Sequence, residues 1–323
     1  MLNVRVLPYK WLLNKMYPFS LIKKRLLFPL HLHLVKKNIC ARLKHILALK
    51  GMTFLNRKLI AIDLDGTTLN PDSIITSKTE ETLKKAINAG HHVSIATGRP
   101  FRMSYHYYQQ LGLSTPMVNF NGALVHIPNQ YWAHEKETSI DKRIVFEILA
   151  QKRQLNLDFI AAENRETYFI DSFDFFDEKI FAASNPSPQN LLSPKNLTTD
   201  PTSLLVRTEK CYAEQVSAEL TRQFGNFVDV RTWGGPMAIL EIVSKGIEKA
   251  KGVHRIANYL DIDQKDVIAF GDEHNDLELL EYAGWGVAMK NGTDQLKGVA
   301  NDVTEHTNQE DGLATYLEDL LAL

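Results

Sequence analysis

The chain has 323 residues, 44% of them hydrophobic and 23% charged, which is the balance of a globular protein with one large domain or two ordinary ones. The formal net charge of -1 hides an asymmetry: residues 1–58 hold 13 Lys or Arg and no Asp or Glu, so the remainder carries 24 basic against 38 acidic residues. Such an acidic body argues against a nucleic-acid partner, and two cysteines, Cys40 and Cys211, with neither metal-ligand nor redox spacing exclude a disulfide framework and suit a reducing, cytoplasmic compartment.

The basic leader, residues 1–51, differs from everything after it. Its apolar run Leu26 to Val35 lies between Lys23-Lys24-Arg25 and Lys36-Lys37. That is half the roughly 20 residues a membrane-spanning helix needs, so no transmembrane segment is expected. No small-residue cleavage site marks a signal peptide. Three readings fit: translation that begins at Met52, a surface or membrane-touching amphipathic tail, or a cleaved presequence. No chemistry is placed in this segment.

From Lys58 the pattern becomes regular. Leu59-Ile60-Ala61-Ile62 is a continuous apolar run that suits a strand buried on both faces of a parallel sheet. A helix over 77–89 follows, with Gly90 as its stop, then a strand at His92 to Ala96, a helix from Phe101 to Leu111, a strand at Pro116 to Phe120 and a turn at Asn121-Gly122. The alternation returns late in the chain. Ile247 to Leu260 reads as a helix, Val267 to Phe270 as a strand, Leu277 to Tyr282 as a helix, Gly286 to Met289 as a strand and Ala300 to Val303 as another. Alternating strands and helices predict an α/β doubly wound parallel sheet, with ligands at the carboxyl ends of its strands.

The stretch between is different. Helices are expected near 140–152 and 212–224, with strands at 157–161, 166–170, 203–207 and 227–231. A loop holding four prolines is expected over 184–201. Strands joined by short turns, with helices beside them, predict an inserted α+β unit. The expected division is 52–126 and 237–323 for the parallel core and 127–236 for the insertion.

The residues suited to chemistry gather at the ends of the predicted core strands. Asp63-Leu64-Asp65-Gly66-Thr67 places two acids at i and i+2, which project to one side of an extended chain, and Gly66 permits a sharp turn with room for an anion. Thr97 and Gly98, where the second strand ends, offer a hydroxyl and an exposed N–H to phosphate oxygens. Lys249 supplies a positive charge at the start of a helix, with Lys245 and Lys251 as competitors. Gly271-Asp272-Glu273-His274-Asn275-Asp276 is a dense set of oxygen ligands of the kind magnesium prefers. Each element alone reads as a turn or a solvated surface. Together they suit phosphoryl transfer, in which catalysis is largely positioning and charge neutralisation.

The order Asp-x-Asp-Gly-Thr, Thr-Gly-Arg, Gly-x-x-Lys and Gly-Asp-x-x-Asn-Asp resembles the haloacid dehalogenase superfamily, and the details resemble its Cof-type branch (subfamily IIB) of sugar-phosphate and cofactor phosphatases. The match extends over about 58–318 and includes Asn119 to Ala123, Gly286 to Met289 and Glu310-Asp311-Gly312. The resemblance implies a Rossmann-like core with a mobile C2-type cap that sets substrate selectivity. It implies Asp63 as nucleophile and Asp65 as general acid and base. Leu64, Thr97, Gly98, Lys249 and Asn275 would hold the phosphate, and Asp63, Asp65 (through its carbonyl), Asp272 and Asp276 would hold Mg2+. Ala250, Leu279, Lys290 and Gly292 depart from the family pattern without removing any of these groups.

The expected function is a Mg2+-dependent phosphatase for small phosphorylated metabolites, working through an aspartyl phosphate as a monomer or homodimer. A phosphomutase or phosphotransferase on the same core is one alternative, and a non-catalytic phospho-ligand sensor another. Asp158, Glu163, Arg165, Arg207 and Trp233 are candidate cap contacts with substrate, and each fits a structural role equally well.

Overall fold

A computed structural model describes residues 57–323 except 182, 184 and 233–237. The expectations for residues 1–51 and for Trp233 lie outside the described residues. In chain order the core opens with β1 (Leu59–Ile62), α1 (Ser77–Asn88), β2 (His92–Ile95), α2 (Phe101–Gln110), β3 (Met117–Asn119), β4 (Leu124–His126) and β5 (Lys136–Glu137). The insertion supplies α3 (Lys142–Ala150), β6 (Leu157–Glu163), β7 (Tyr168–Ile170), α4 (Glu178–Phe181), β8 (Ser203–Thr208), α5 (Ala213–Phe224), β9 (Val228–Thr232) and β10 (Ile239–Ser244). The core resumes with α6 (Lys249–Leu260), β11 (Val267–Gly271), α7 (Leu277–Tyr282), β12 (Trp285–Ala288), α8 (Asp294–Val299), β13 (Asp302–Val303) and α9 (Gly312–Leu321).

The core sheet has the order β13-β12-β11-β1-β2, parallel throughout, and a parallel bridge between Ala96 and Val118 brings β3 alongside β2. Side chains alternate across a strand, so β1 feeds two apolar layers. Ile60 and Ile62 pack on one face with Leu83, Ala86, Leu313 and Leu317 of α1 and α9. Leu59 and Ala61 pack on the other with Val253, Ile256 and Leu279 of α6 and α7. Burial on both faces is the reason β1 reads as an unbroken apolar run.

The insertion forms an antiparallel sheet of order β7-β6-β8-β10-β9. One face packs against α3 and α5 through Ile144, Val145, Ile148, Val216 and Leu220. The other carries Phe159, Ala161, Leu205 and Ile239 against Ile180 and Phe181.

The structure moves both edges expected for this unit. Ile127 and Trp132 pack in the core with Leu59 and Val253, and β5 pairs with β4, so the chain stays with the core through Glu137 and does not leave it at 127. The apolar run 239–244, expected on the core side of a boundary at 236/237, pairs antiparallel with β8 and β9 instead. An apolar run shows that a strand is buried and does not show which sheet it joins. On this pairing the inserted cap spans 138–244.

Phe270 lies on the central strand β11 and is fully buried in the layer beneath α1 and α9. Phe270→Ala should lower the free energy of unfolding by about 3–5 kcal/mol, read from the urea midpoint; an unchanged midpoint would contradict the packing described here.

Candidate active site

At the carboxyl end of β1 the Asp63 N–H donates to the Phe270 carbonyl at 3.1 Å, fixing where β1 stops. The chain then turns through Leu64 to Thr68 with Gly66 at φ 71°. Two constraints fall on Gly66: its backbone is left-handed, and a Cβ there would lie 2.1 Å from Oδ2 of Asp272. Thr67 Oγ1 donates to Oδ1 of Asp272 at 2.9 Å, tying the first motif to the last.

Lys249 is the first residue of α6 and is 1% exposed. Its ammonium donates to Asp63 Oδ1 at 2.6 Å and to Asp276 Oδ1 at 2.7 Å. Asp276 in turn closes its own loop, with Oδ2 accepting from the N–H groups of Asp272 at 3.1 Å and Glu273 at 3.3 Å. Gly271 leaves room for that closure, since a Cβ there would sit 2.5 Å from the Asp276 side chain.

The electrostatics follow from this geometry. Burial raises Asp63 well above the usual carboxylate range; Lys249 opposes the shift, while Asp276, Asp272 and Asp65 add to it. Burial, reinforced by Asp276, pushes Asp272 up to about 7 against the pull of Thr67 and Lys249. For Lys249 burial alone favours the neutral amine, but the carboxylates of Asp276 and Asp63 more than offset that and hold it above its ordinary value.

Carboxylate oxygens of Asp63, Asp272 and Asp276 lie within 4.8 Å of one another. Three carboxylates facing one lysine leave two negative charges uncompensated when all are ionised. An all-oxygen, anionic donor set of this kind fits a hard divalent cation. The carboxylate of Asp65 is outside the group. It makes a two-pronged pair with Arg99, Nε to Oδ2 at 2.7 Å and Nη2 to Oδ1 at 2.5 Å, and its side chain is 59% exposed.

A cavity of about 320 Å³ opens over the cluster, lined by Asp63, Asp65, Gly98, Asp272 and Asn275 from the core and by Arg231, Thr232 and Glu241 from the cap. Thr97 and Leu64 are buried. Thr97 Oγ1 accepts from the Arg99 N–H at 3.1 Å, so this hydroxyl shapes the turn after β2. Of the cap residues named from sequence, Glu163 is buried and pairs with Arg102 of α2, Arg165 pairs with Glu135, and Arg207 pairs with Asp158 at 3.2 Å. Each of those four has a structural partner, and none lines the cavity.

Three residues at the site carried a usable signal that sequence reading passed over. Arg99 stands inside a quoted motif. Asn121 follows the third strand beside a glycine. Glu241 is a lone acid within the apolar run Ile239 to Val243, an improbable place for a charge without a role or a partner.

A parallel sheet whose strand ends converge on buried carboxylates, a lysine and a roofed polar cavity defines a hydrolase of the phosphoryl-transfer kind. The chain belongs to the haloacid dehalogenase-like hydrolases, whose family description matches residues 60–317, and to their Cof-type phosphatases. It is 38% identical over 268 residues to the 5-amino-6-(5-phospho-D-ribitylamino)uracil phosphatase YitU of Bacillus subtilis, a match covering 82% of this chain and 98% of that protein. A haloacid dehalogenase-like hydrolase from Bacteroides thetaiotaomicron superposes with a TM-score of 0.69 at 26% identity, over 82% of this chain and 99% of that one. A subclass IIB sugar phosphatase shares the fold, with a TM-score of 0.68 at 22% identity over 82% of this chain and all of that one. Among the described residues no helix is long and apolar enough to cross a membrane.

Two measurements check the site. A divalent cation at about 100 times its Kd should raise the melting temperature by about 5–10 °C, and chelation should reverse the shift; a flat thermal profile would show that the carboxylates do not bind a cation. Lys249→Ala, which strands two buried carboxylates, should cost about 3–5 kcal/mol in urea unfolding without metal.

Proposed function

We propose that the protein is a Mg2+-dependent phosphatase that hydrolyses small phosphorylated metabolites through an aspartyl phosphate on Asp63. The observation that carries this reading is the position of Lys249, whose ammonium lies 2.6 Å from Asp63 Oδ1 while Asp272 and Asp276 crowd the same point. A carboxylate held at a fixed point beside a buried cation, under a small cavity, suits in-line attack on a phosphate monoester.

Asp63 attacks phosphorus, forming an acyl phosphate as the bond to the leaving alcohol breaks. Asp65 gives its proton to that alcohol. Its carboxylate then takes a proton from water, which attacks the acyl phosphate, releases inorganic phosphate and restores Asp63. In this structure Arg99 pairs with both oxygens of Asp65, so Asp65 leaves Arg99 before it takes up the proton it donates. Lys249 holds Asp63 in place, and Gly98 and Asn275 border the space for the phosphoryl oxygens. Asp63, Asp272, Asp276 and the Asp65 carbonyl would hold Mg2+, which would supply the charge that offsets repulsion between Asp63 and the substrate's phosphate. The cap excludes water while the acyl phosphate exists.

For the substrate, we favour a phosphorylated cofactor precursor or sugar phosphate whose alcohol side carries several hydroxyls. The relative at 38% identity acts, by its name, on a phosphoribitylamino-uracil. The polar lining that Arg231, Thr232 and Glu241 give the cavity suits such a group. We propose a cytoplasmic location, which the sparse cysteine usage supports, and no nucleic-acid surface.

Asp63→Asn should remain folded and lose at least about 100-fold in kcat, roughly 2.7 kcal/mol of barrier, in a phosphate-release assay with Mg2+. Retention of more than about a tenth of the wild-type rate would rule out Asp63 as nucleophile. Wild-type protein stripped with EDTA should release no phosphate until Mg2+ is restored.

A further inference from the structure

Glu241 stands on β10 of the cap, is 3% exposed and lines the cavity above Asp63. Its neighbours along the strand, Leu240 and Ile242, face the apolar layer under α3 and α5, so alternation turns Glu241 to the face toward the core. Arg231 lies directly across the β9–β10 ladder and lines the same cavity. A carboxylate in so dry a place needs donors, because burying one costs several kcal/mol unless it is paired and hydrogen-bonded. Among the described residues Glu241 has one hydrogen bond, from Asn121 Nδ2 to Oε2 at 2.7 Å. Arg231 donates to the Ile247 carbonyl, and its charge offsets part of what burial does to Glu241, whose pKa is pushed up to about 7. The other oxygen, Oε1, is left for a donor arriving in the cavity.

The core side of this contact is built with equal care. Asn121 sits in a turn where Phe120, Asn121 and Gly122 take φ values of 49°, 54° and 111° in succession. Backbone of this kind costs roughly 1–3 kcal/mol per strained residue and persists only where its surroundings enforce it. Here the Asn121 N–H donates to the Thr97 carbonyl at 3.1 Å, and a Cβ on Gly122 would lie 2.3 Å from the Glu248 carbonyl. An ionised carboxylate can only accept, so Asn121 must turn its amide N–H toward Glu241 and its carbonyl away. That carbonyl accepts from Asn275 Nδ2 at 2.9 Å. The cap carboxylate is thus joined through one amide to the loop beside the phosphate position.

We propose that Glu241 is the specificity-determining residue of the cap, which accepts a hydrogen bond from a hydroxyl or N–H on the leaving-group side of the substrate while Asn121 holds it in register with the core. The inference rests on the phosphatase reading and names the part of the substrate that the cap recognises: a donor-bearing alcohol, such as a polyol or sugar chain. An aryl phosphate offers no such donor.

The test compares wild type, Glu241→Gln and Glu241→Ala on ribitol 5-phosphate and on p-nitrophenyl phosphate. Two readouts are used: kcat and KM with Mg2+, and the Kd of ribitol 5-phosphate measured calorimetrically on the same proteins carrying Asp63→Asn. Glu241→Gln keeps size and an oxygen for Asn121, so it guards against misfolding. The expected result is a fall of about 10-fold or more in kcat/KM for ribitol 5-phosphate in both variants, carried by KM and matched by Kd, with p-nitrophenyl phosphate turnover within about 3-fold of wild type. Equal losses on both substrates would overturn the proposal by showing that Glu241 supports the reaction centre or the fold. Unchanged kinetics and Kd would overturn it as well. If wild type hydrolyses neither substrate, the phosphatase reading fails, and the Kd comparison still decides the role of Glu241.

Discussion

The ammonium of Lys249 joins three stretches of chain that are distant in sequence: the end of β1 through Asp63, the start of α6, and the loop after β11 through Asp276. Its position is unfavourable on local grounds, since a cation at the first residue of a helix faces the positive end of the backbone dipole. The two carboxylates reverse that, because each is attracted both to the ammonium and to the helix end. None of the three side chains is tolerable alone at such depth, and the loss of any one leaves an uncompensated buried charge. The three side chains therefore depend on one another, and Asp63 is held at a fixed point by the core itself.

The cap meets the core through polar contacts as well as through Val243 of β10, which packs in the core's apolar layer. Arg102 of α2 donates to Glu163 and to the Phe181 carbonyl, with its guanidinium 5.5 Å from the Tyr168 ring. Glu241 accepts from Asn121 on the other side. Ion pairs and amides can exchange partners for water, as the cap motion proposed above would require. A junction of this type suits a lid that must admit a charged metabolite and release phosphate.

Much of the core was legible in the sequence because its signals are local. A four-residue apolar run ending in an acid marks a strand buried on both faces, and Gly66, Gly98 and Gly271 mark where the chain turns at the strand ends. Asp63, Asp272, Asp276 and Lys249 stood at those ends, and the structure brings their side chains within hydrogen-bond or ligand range of one another. What escaped depends on long-range pairing. Apart from Glu241 and Ser244 the strand 239–244 is as apolar as a core strand, and its ladder with β8 and β9 assigns it to the cap. The bidentate contact of Asp65 with Arg99 spans 34 residues, and the single hydrogen bond of Asn121 with Glu241 spans 120. No periodicity encodes such separations. The cap contacts were the least legible, because Asp158 and Arg207 satisfy each other and Arg165 satisfies acids of the core, Glu135 and Glu137.

The account stands or falls on a covalent step at Asp63. Mixing enzyme, Mg2+ and substrate, quenching within milliseconds, reducing with borohydride and sequencing the peptides by mass spectrometry tests it directly. An acyl phosphate on Asp63 is reduced to homoserine, so the account predicts that residue in the peptide containing Leu64 and Asp65, and only when substrate is present. Reduction of any other carboxylate, or rapid turnover with no modified residue, would contradict it.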